Sequence, residues 1–148
     1  MNYYDVGVMF GGTQDMWPLF SEKKCWFMGY REGDKPRLDN QIDNVKEGDI
    51  LIAKAYGSTA QSNYYVRAIG IVISLNKPGD VPDEFKDRPG FSVIWIKYFE
   101  KPVPLSSAEY NRGGVYTYTI FNEKNMKFIE KINELMRFDY KWGVKYVL

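Results

Sequence analysis

Histidine is absent from this 148-residue chain, and cysteine occurs once, as Cys25. The first absence removes Ser-His-Asp and Cys-His mechanisms and every histidine-based metal site. The second removes internal disulfides and cysteine-cluster zinc or iron–sulfur sites. Charge of one sign is also scarce: 20 basic against 19 acidic residues leave a net +1. A general nucleic-acid coat protein is more basic, so any nucleic-acid role must rest on a local patch or a small pocket. No apolar run reaches the roughly 18 residues of a membrane span. The start, Met1-Asn2-Tyr3-Tyr4-Asp5, lacks the basic segment and apolar stretch of a secretory signal. Repeats, low-complexity segments and Gly/Ser linkers are missing too. The expectation is one domain over residues 1–148, cytoplasmic, not an enzyme, with no cofactor, no metal and no membrane partner.

Aromatic residues are what the chain has in excess. Twelve Tyr, nine Phe and four Trp make 17% of it. That is more ring than a core of this size needs, so some rings are expected in a pocket or on a surface.

Residues 3–10 read as a strand ended by Gly11-Gly12, and 14–22 as a short helix with Thr13 as N-cap. A short apolar run, 25–28, precedes a polar loop over 31–40 and a helical turn over 41–45. Strands are predicted over 49–56 and 64–75, separated by a polar loop. Three prolines and two glycines make 77–90 a loop. A strand over 91–99 is expected to end at Pro102 and Pro104, and another runs over 115–121. Met126, Ile129, Ile132 and Met136 recur at helical spacing, which predicts a helix over 123–137. The tail, 138–148, alternates from Tyr140 like a strand that could join a partner's sheet edge. Neighbouring strands without long crossover helices predict a mixed α/β (α+β) domain built on a largely antiparallel, partly closed barrel.

In the 49–56 strand, Ile50, Ile52, Lys54 and Tyr56 share one face, and Leu51, Ala53 and Ala55 the other. If the isoleucines point inward, Lys54 and Tyr56 stand near the barrel mouth, suited to an anionic or carbonyl-bearing ligand; Lys54 snorkelling to solvent is the alternative. Gly11 and Gly12 allow close backbone approach of a ligand, Gln14 can bond a base edge, and Trp17 offers a ring for stacking. The same stretch is equally a plain turn before a helix that packs Trp17 into the core. Trp26 and Tyr30 flank Gly29 and could stack a base, worth roughly 1–3 kcal/mol, or cap the core. Cys25 has no activating neighbour and reads as a small hydrophobe. Lys97, Lys101 and Arg112 are candidate phosphate contacts.

The ordered segments Gly7–Asp15, Cys25–Tyr30, Val45–Tyr56, Val66–Val72, Ser92–Ile96 and Val115–Tyr118 resemble the EVE-like domains of the PUA superfamily, across residues 4–135. They are most similar to those at the N-terminus of restriction GTPases that target modified cytosine, and are related to YTH domains. The most specific piece is Lys46-Glu47-Gly48-Asp49 followed by two strands, the second holding Ala68-Ile69-Gly70-Ile71-Val72. The resemblance implies a twisted barrel with flanking helices and an aromatic pocket into which a modified base is flipped. Carried over, Trp26 is the cage ring, Gly11, Gly12 and Gln14 form the rim, and Lys54 and Tyr56 line the wall. Trp17, Tyr116 and Tyr118 complete the set. The 77–90 loop lacks a second cage tryptophan, and the 148 residues hold no GTPase or nuclease segment, so a stand-alone reader is one expectation and a domain of a larger protein the other. The expected partner is a nucleic acid carrying a modified base, DNA ahead of RNA, with a separate effector protein in restriction or phage defence. The alternative is a sensor or sponge of a free nucleotide-derived molecule.

Overall fold

The computed structural model describes residues 1–56, 62–113 and 119–137. Its elements in chain order are β1 (Tyr3–Gly7), β2 (Met9–Phe10), β3 (Gln14–Asp15), α1 (Trp17–Lys23) and β4 (Cys25–Phe27). They continue with α2 (Pro36–Asp43), β5 (Ile50–Lys54), β6 (Asn63–Ser74), a 3-10 turn (Asp83–Phe85), β7 (Gly90–Ser106), β8 (Ile120–Glu123) and α3 (Met126–Arg137). Six strands form one sheet in the order β4-β7-β6-β5-β1-β8. β1 lies parallel to β5, with Tyr3 opposite Ile50, and the other pairings are antiparallel. Bulges along β6 and β7 curl this sheet into a half-barrel, so the expected mixed, largely antiparallel architecture is the one found.

Local chemistry explains where elements begin and end. Gly11 and Gly12, at φ 59° and 75°, turn the chain back so that Met9 and Phe10 pair with Asp15 and Gln14. Left-handed backbone at both positions suits glycine. The helix expected from residue 14 therefore starts at Trp17; Asp15 Oδ1, not Thr13, accepts the Trp17 N–H at 2.9 Å. The predicted loop over 31–40 is partly helix, because Pro36 starts α2, where a missing N–H and fixed φ are no handicap. Pro102 and Pro104 do not end β7. Its pairing with β4 stops at Ser92, so near the prolines β7 has only β6 beside it, and an open edge needs no N–H donor. Arg67 Nη1 bonds the Phe99 and Glu100 carbonyls at 2.9 and 2.8 Å, pinning the bulge before them. Asn125 Oδ1 accepts the Phe128 N–H at 3.1 Å and caps α3. Residues 114–118 and the 138–148 tail lie outside the described residues.

The alternation read in β5 holds, but each face meets its own core. Leu51 and Ala53 join Phe20, Trp26, Phe27, Ile42 and Phe91 under α1, β4 and α2. Ile50 and Ile52 join Tyr64, Ile69, Phe128, Ile132 and Leu135 under α3. β4 and β7 approach so closely that a Cβ on Gly90 would stand 2.2 Å from the Trp26 carbonyl oxygen.

Candidate functional site

On the α2 side of the sheet lies a cavity of about 420 Å³, walled by α2, the end of β6 and residues 86–91. The i, i+3, i+4 spacing of Asp39, Ile42 and Asp43 brings all three to it. Leu75, Asn76 and Lys77 close one side. Phe91, 2% exposed, lies in the cavity floor with its ring stacked on Trp26, centroids 6.0 Å apart and planes 21° from parallel.

The 77–90 loop is held by its own cations. Lys77 Nζ donates to the Lys86 carbonyl at 3.0 Å and also to that of Arg88. Burial holds the Lys77 ammonium below its ordinary value. Lys86 Nζ donates to the Gly79 carbonyl at 3.0 Å. Arg88 bonds the Gly29 and Glu84 carbonyls and pairs with Asp87, whose other oxygen meets Arg31 at 2.8 Å. This loop therefore presents a fixed wall. Behind it, Phe10, Phe20, Phe27 and Phe85 pack edge to face or tilted, with centroids 5.0–6.3 Å apart.

The residues singled out in the sequence do not converge on one pocket. Trp26 is fully buried, and its indole N–H donates to the Gly7 carbonyl at 2.9 Å. Its ring backs the cavity through Phe91 and offers no face to a ligand, which corrects the cage-ring expectation. Gly11, Gly12 and Gln14 are exposed on the β2–β3 hairpin and do not line the cavity. Trp17 is half-buried against Trp95, centroids 5.0 Å apart, with Tyr98 at 6.2 Å. Trp95 and Tyr98 were not read as site residues; their register on β7 is what sets them beside α1. Tyr30 is exposed, with Lys35 Nζ 5.2 Å from its ring. Tyr56 is exposed beside Tyr65 and shares no wall with Lys54, because the β5 register shifts between Ala53 and Lys54. Lys101 is exposed and Lys97 half-buried. Tyr116 and Tyr118 lie outside the described residues.

Lys54 and Arg112 belong instead to a sealed group under α3, with Asp5, Tyr64 and Glu123. Arg112 meets Glu123 with both terminal nitrogens, at 2.5 and 2.9 Å, and Asp5 at 3.7 Å. Its guanidinium sits 3.9 Å from the Phe128 ring centroid. That corrects Arg112 as a phosphate contact: its donors face an internal carboxylate. The Tyr64 hydroxyl donates to Asp5 Oδ1. Burial, then the hydrogen bond and charge of Glu123, push the Asp5 carboxyl well above the usual range. Burial also acts upward on Glu123, but hydrogen bonds from Asp5, Arg112 and the Asn125 N–H bring it down to about 2. Burial lowers Lys54 to about 8, against the pull of Asp5. A second cavity, about 490 Å³, borders Arg112 and Glu123, whose charges are already matched. Among the described residues no three His, Cys, Asp or Glu are grouped to hold a metal ion. No described helix is long and apolar enough to cross a membrane.

No family model and no curated protein matches the chain. Solved structures do. The Pho92 YTH domain in complex with m6A superposes with a TM-score of 0.56 at 10% identity, covering 99% of this chain and 88% of that one. The Mmi1 YTH domain complex with RNA gives 0.55 at 14% identity, over 98% and 83%. PSPTO5229 from Pseudomonas syringae gives 0.54 at 11% identity, over 90% and 99%. The chain has a YTH-like fold.

Proposed function

We propose that the chain is a non-catalytic module that binds a modified nucleobase, and that the base enters the cavity between α2 and residues 86–91. The observation that carries this reading is the cavity itself: about 420 Å³, over a buried apolar floor of Ile42, Val45 and Phe91 and with polar Asn76 and Asp39 in its walls. An apolar floor beside a few placed polar groups suits a flat heterocycle. Flipping a base out of a duplex costs a few kcal/mol, which stacking and edge hydrogen bonds offset. Lys86 lies at the edge of the cavity, where its ammonium donates to the Gly79 carbonyl and pairs with Asp83 at 3.6 Å; a backbone phosphate would compete with that carboxylate for it. Two YTH-domain structures named for m6A and for RNA lend support through the shared fold. They give no reason to put DNA before RNA, so RNA becomes the first ligand to try. A role beside a restriction effector rests on the sequence resemblance alone.

The test is calorimetric titration with short oligonucleotides, modified and unmodified, and with free nucleosides, at two salt concentrations. Leu75 is half exposed at the cavity wall, so Leu75→Trp obstructs the site without opening the core. The expected result is salt-sensitive binding of a modified oligonucleotide, lost in Leu75→Trp at an unchanged melting temperature. Unimpaired binding by that variant would move the site elsewhere. Binding of free nucleotides alone would favour the sensor reading.

A further inference from the structure

The α3 face of the sheet is only partly roofed. One row of paired residues crosses it: Tyr3 in β1, Ile50 in β5, Ile71 in β6 and Ile94 in β7. The last turns of α3 sit over the near end of that row. The Tyr3 hydroxyl donates to Asn133 Oδ1 at 2.8 Å, Leu135 is buried, and Met136 packs with Tyr3 and Ile71 on the same core cluster. The far end is open. Ile94 is 52% exposed, and Ile73, diagonally across the β6–β7 pair from it, is 47% exposed. Both lie on the α3 face, because their neighbours Val72 and Val93 are buried in the core of the other face. An exposed apolar patch continuous with a packed core marks an interaction surface.

The chain that leaves α3 has a sequence that fits this gap. Past Arg137, Phe138, Tyr140, Trp142, Val144, Tyr146 and Leu148 stand at every second position, with Asp139, Lys141, Gly143 and Lys145 between them. In an extended chain the apolar set shares one side and the lysines the other. That is the pattern of a segment with one covered and one wet face. We propose that residues 138–148 are the occupant of the Ile73–Ile94 surface: an extended segment of this same chain, packed on its own sheet with the aromatic side against the isoleucines. Reach is no obstacle. Strands stand about 4.8 Å apart and extended chain advances about 3.3 Å per residue, so crossing from β1 to β7 takes about five residues. A segment tethered beside its seat meets it at an effective concentration in roughly the millimolar range, which favours it over a free partner or a second copy. The surface lies on the face of the sheet opposite Ile42, Val45 and Phe91, so this inference stands apart from the base-binding reading.

Paramagnetic broadening in the full chain tests this. Cys25 is buried, and burial pushes its thiol up to about 12, so a thiol-specific nitroxide at neutral pH reacts with an introduced cysteine alone. With the nitroxide at Lys145→Cys, the amide signals of Ile71, Ile73 and Ile94 are expected to be lost, and to return when the nitroxide is reduced. Trp142→Ser, a change within the tail, and Ile94→Lys, at an exposed position, should each restore the remaining signals of that set while the rest of the amide spectrum stays in place. Amides that keep their intensity throughout would overturn the proposal, and so would losses that survive both substitutions. Spin-labelled chain at natural isotope abundance, mixed with isotope-enriched chain free of nitroxide, separates one molecule from two. Losses in that mixture would overturn the proposal as well and assign the surface to a second copy.

Discussion

On the α3 side of the sheet, Asp5, Lys54, Arg112 and Glu123 are each at most 3% exposed and are arranged against one another. On the α2 side, Glu32, Asp43 and Lys86 carry the same chemistry into contact with water. The first group fixes strands: it ties β1, β6 and β8 to the residue 110–113 turn through hydrogen bonds and ion pairs inside an apolar layer. Burying ions is expensive, and the network holds because nearly every donor finds an acceptor. In the second group Lys86 is held by the Gly79 carbonyl and Asp83, while Glu32 and Asp43 have no ion-pair partner among the described residues. In one molecule, then, charge sealed from water specifies the fold, and charge left open is available for recognition.

Breaking the sealed side should have the largest effect. Arg112→Met removes the partner of a buried carboxylate and the cation over Phe128. Leaving Glu123 uncompensated should cost about 3–5 kcal/mol in urea unfolding. A loss below about 1 kcal/mol, the scale of exposed pairs, would mean that water reaches the network. Gly90→Ala follows. Its Cβ would meet Trp26 and Phe27 main-chain atoms at 2.2 and 2.6 Å, and backbone cannot step aside like a flexible side chain. Separating β4 from β7 should cost about 1–3 kcal/mol and also disturb the Phe91 wall. Binding and stability should fall together here, unlike in Arg112→Met at residual folded fraction.

How the sequence reads the two sides follows from how local each one is. The β5 alternation was legible because a period of two is written in five consecutive residues, and it put Lys54 with Ile50 and Ile52. The helix at 126–137 was legible for the same reason at another period. Trp26 was not, since its burial depends on Phe91 and on the Gly7 carbonyl, distant in the chain. Arg112 looked like a free cation because it stands in a turn and the carboxylate that claims it, Glu123, lies eleven residues on in β8. The cavity was illegible as a unit: Asp39, Asn76, Lys86 and Phe91 come from separate segments, none with a motif of its own. Pro36, Pro102 and Pro104 misled where proline acts as a helix starter or sits at an open strand edge.

The two sides should also part with pH. Glu123 is held at about 2 in the folded chain against 4.5 ordinarily, so its contribution is complete above 4.5 and is lost as pH falls towards 2. Asp5, shifted upward, opposes this on the acid side: it stabilises while protonated and loses that contribution as pH rises through its folded value. Lys54, lowered from 10.5 to about 8, adds stability as pH rises between those values, because the unfolded chain then holds more protons. Unfolding free energies measured from pH 2 to 10 should show the acid decline flattened in Glu123→Gln and the alkaline rise absent in Lys54→Met. Curves identical to the wild type would mean that these groups titrate as if in water.

The smallest stability effect is expected on the open side, and there it is most informative. Asp43 and Glu32 are exposed and have no ion-pair partner among the described residues, and surface changes of this kind stay within about 0.5 kcal/mol. Asp43→Asn should therefore leave the urea midpoint where it is, or raise it slightly by relieving repulsion from Asp39 one helical turn away. Its effect should appear only in ligand affinity, and more at low salt than at high, since exposed charges are screened within about 10 Å at 0.1 M. A destabilisation approaching that of Arg112→Met would place Asp43 among the fold's own supports, and the division between sealed and open charge would have to be redrawn.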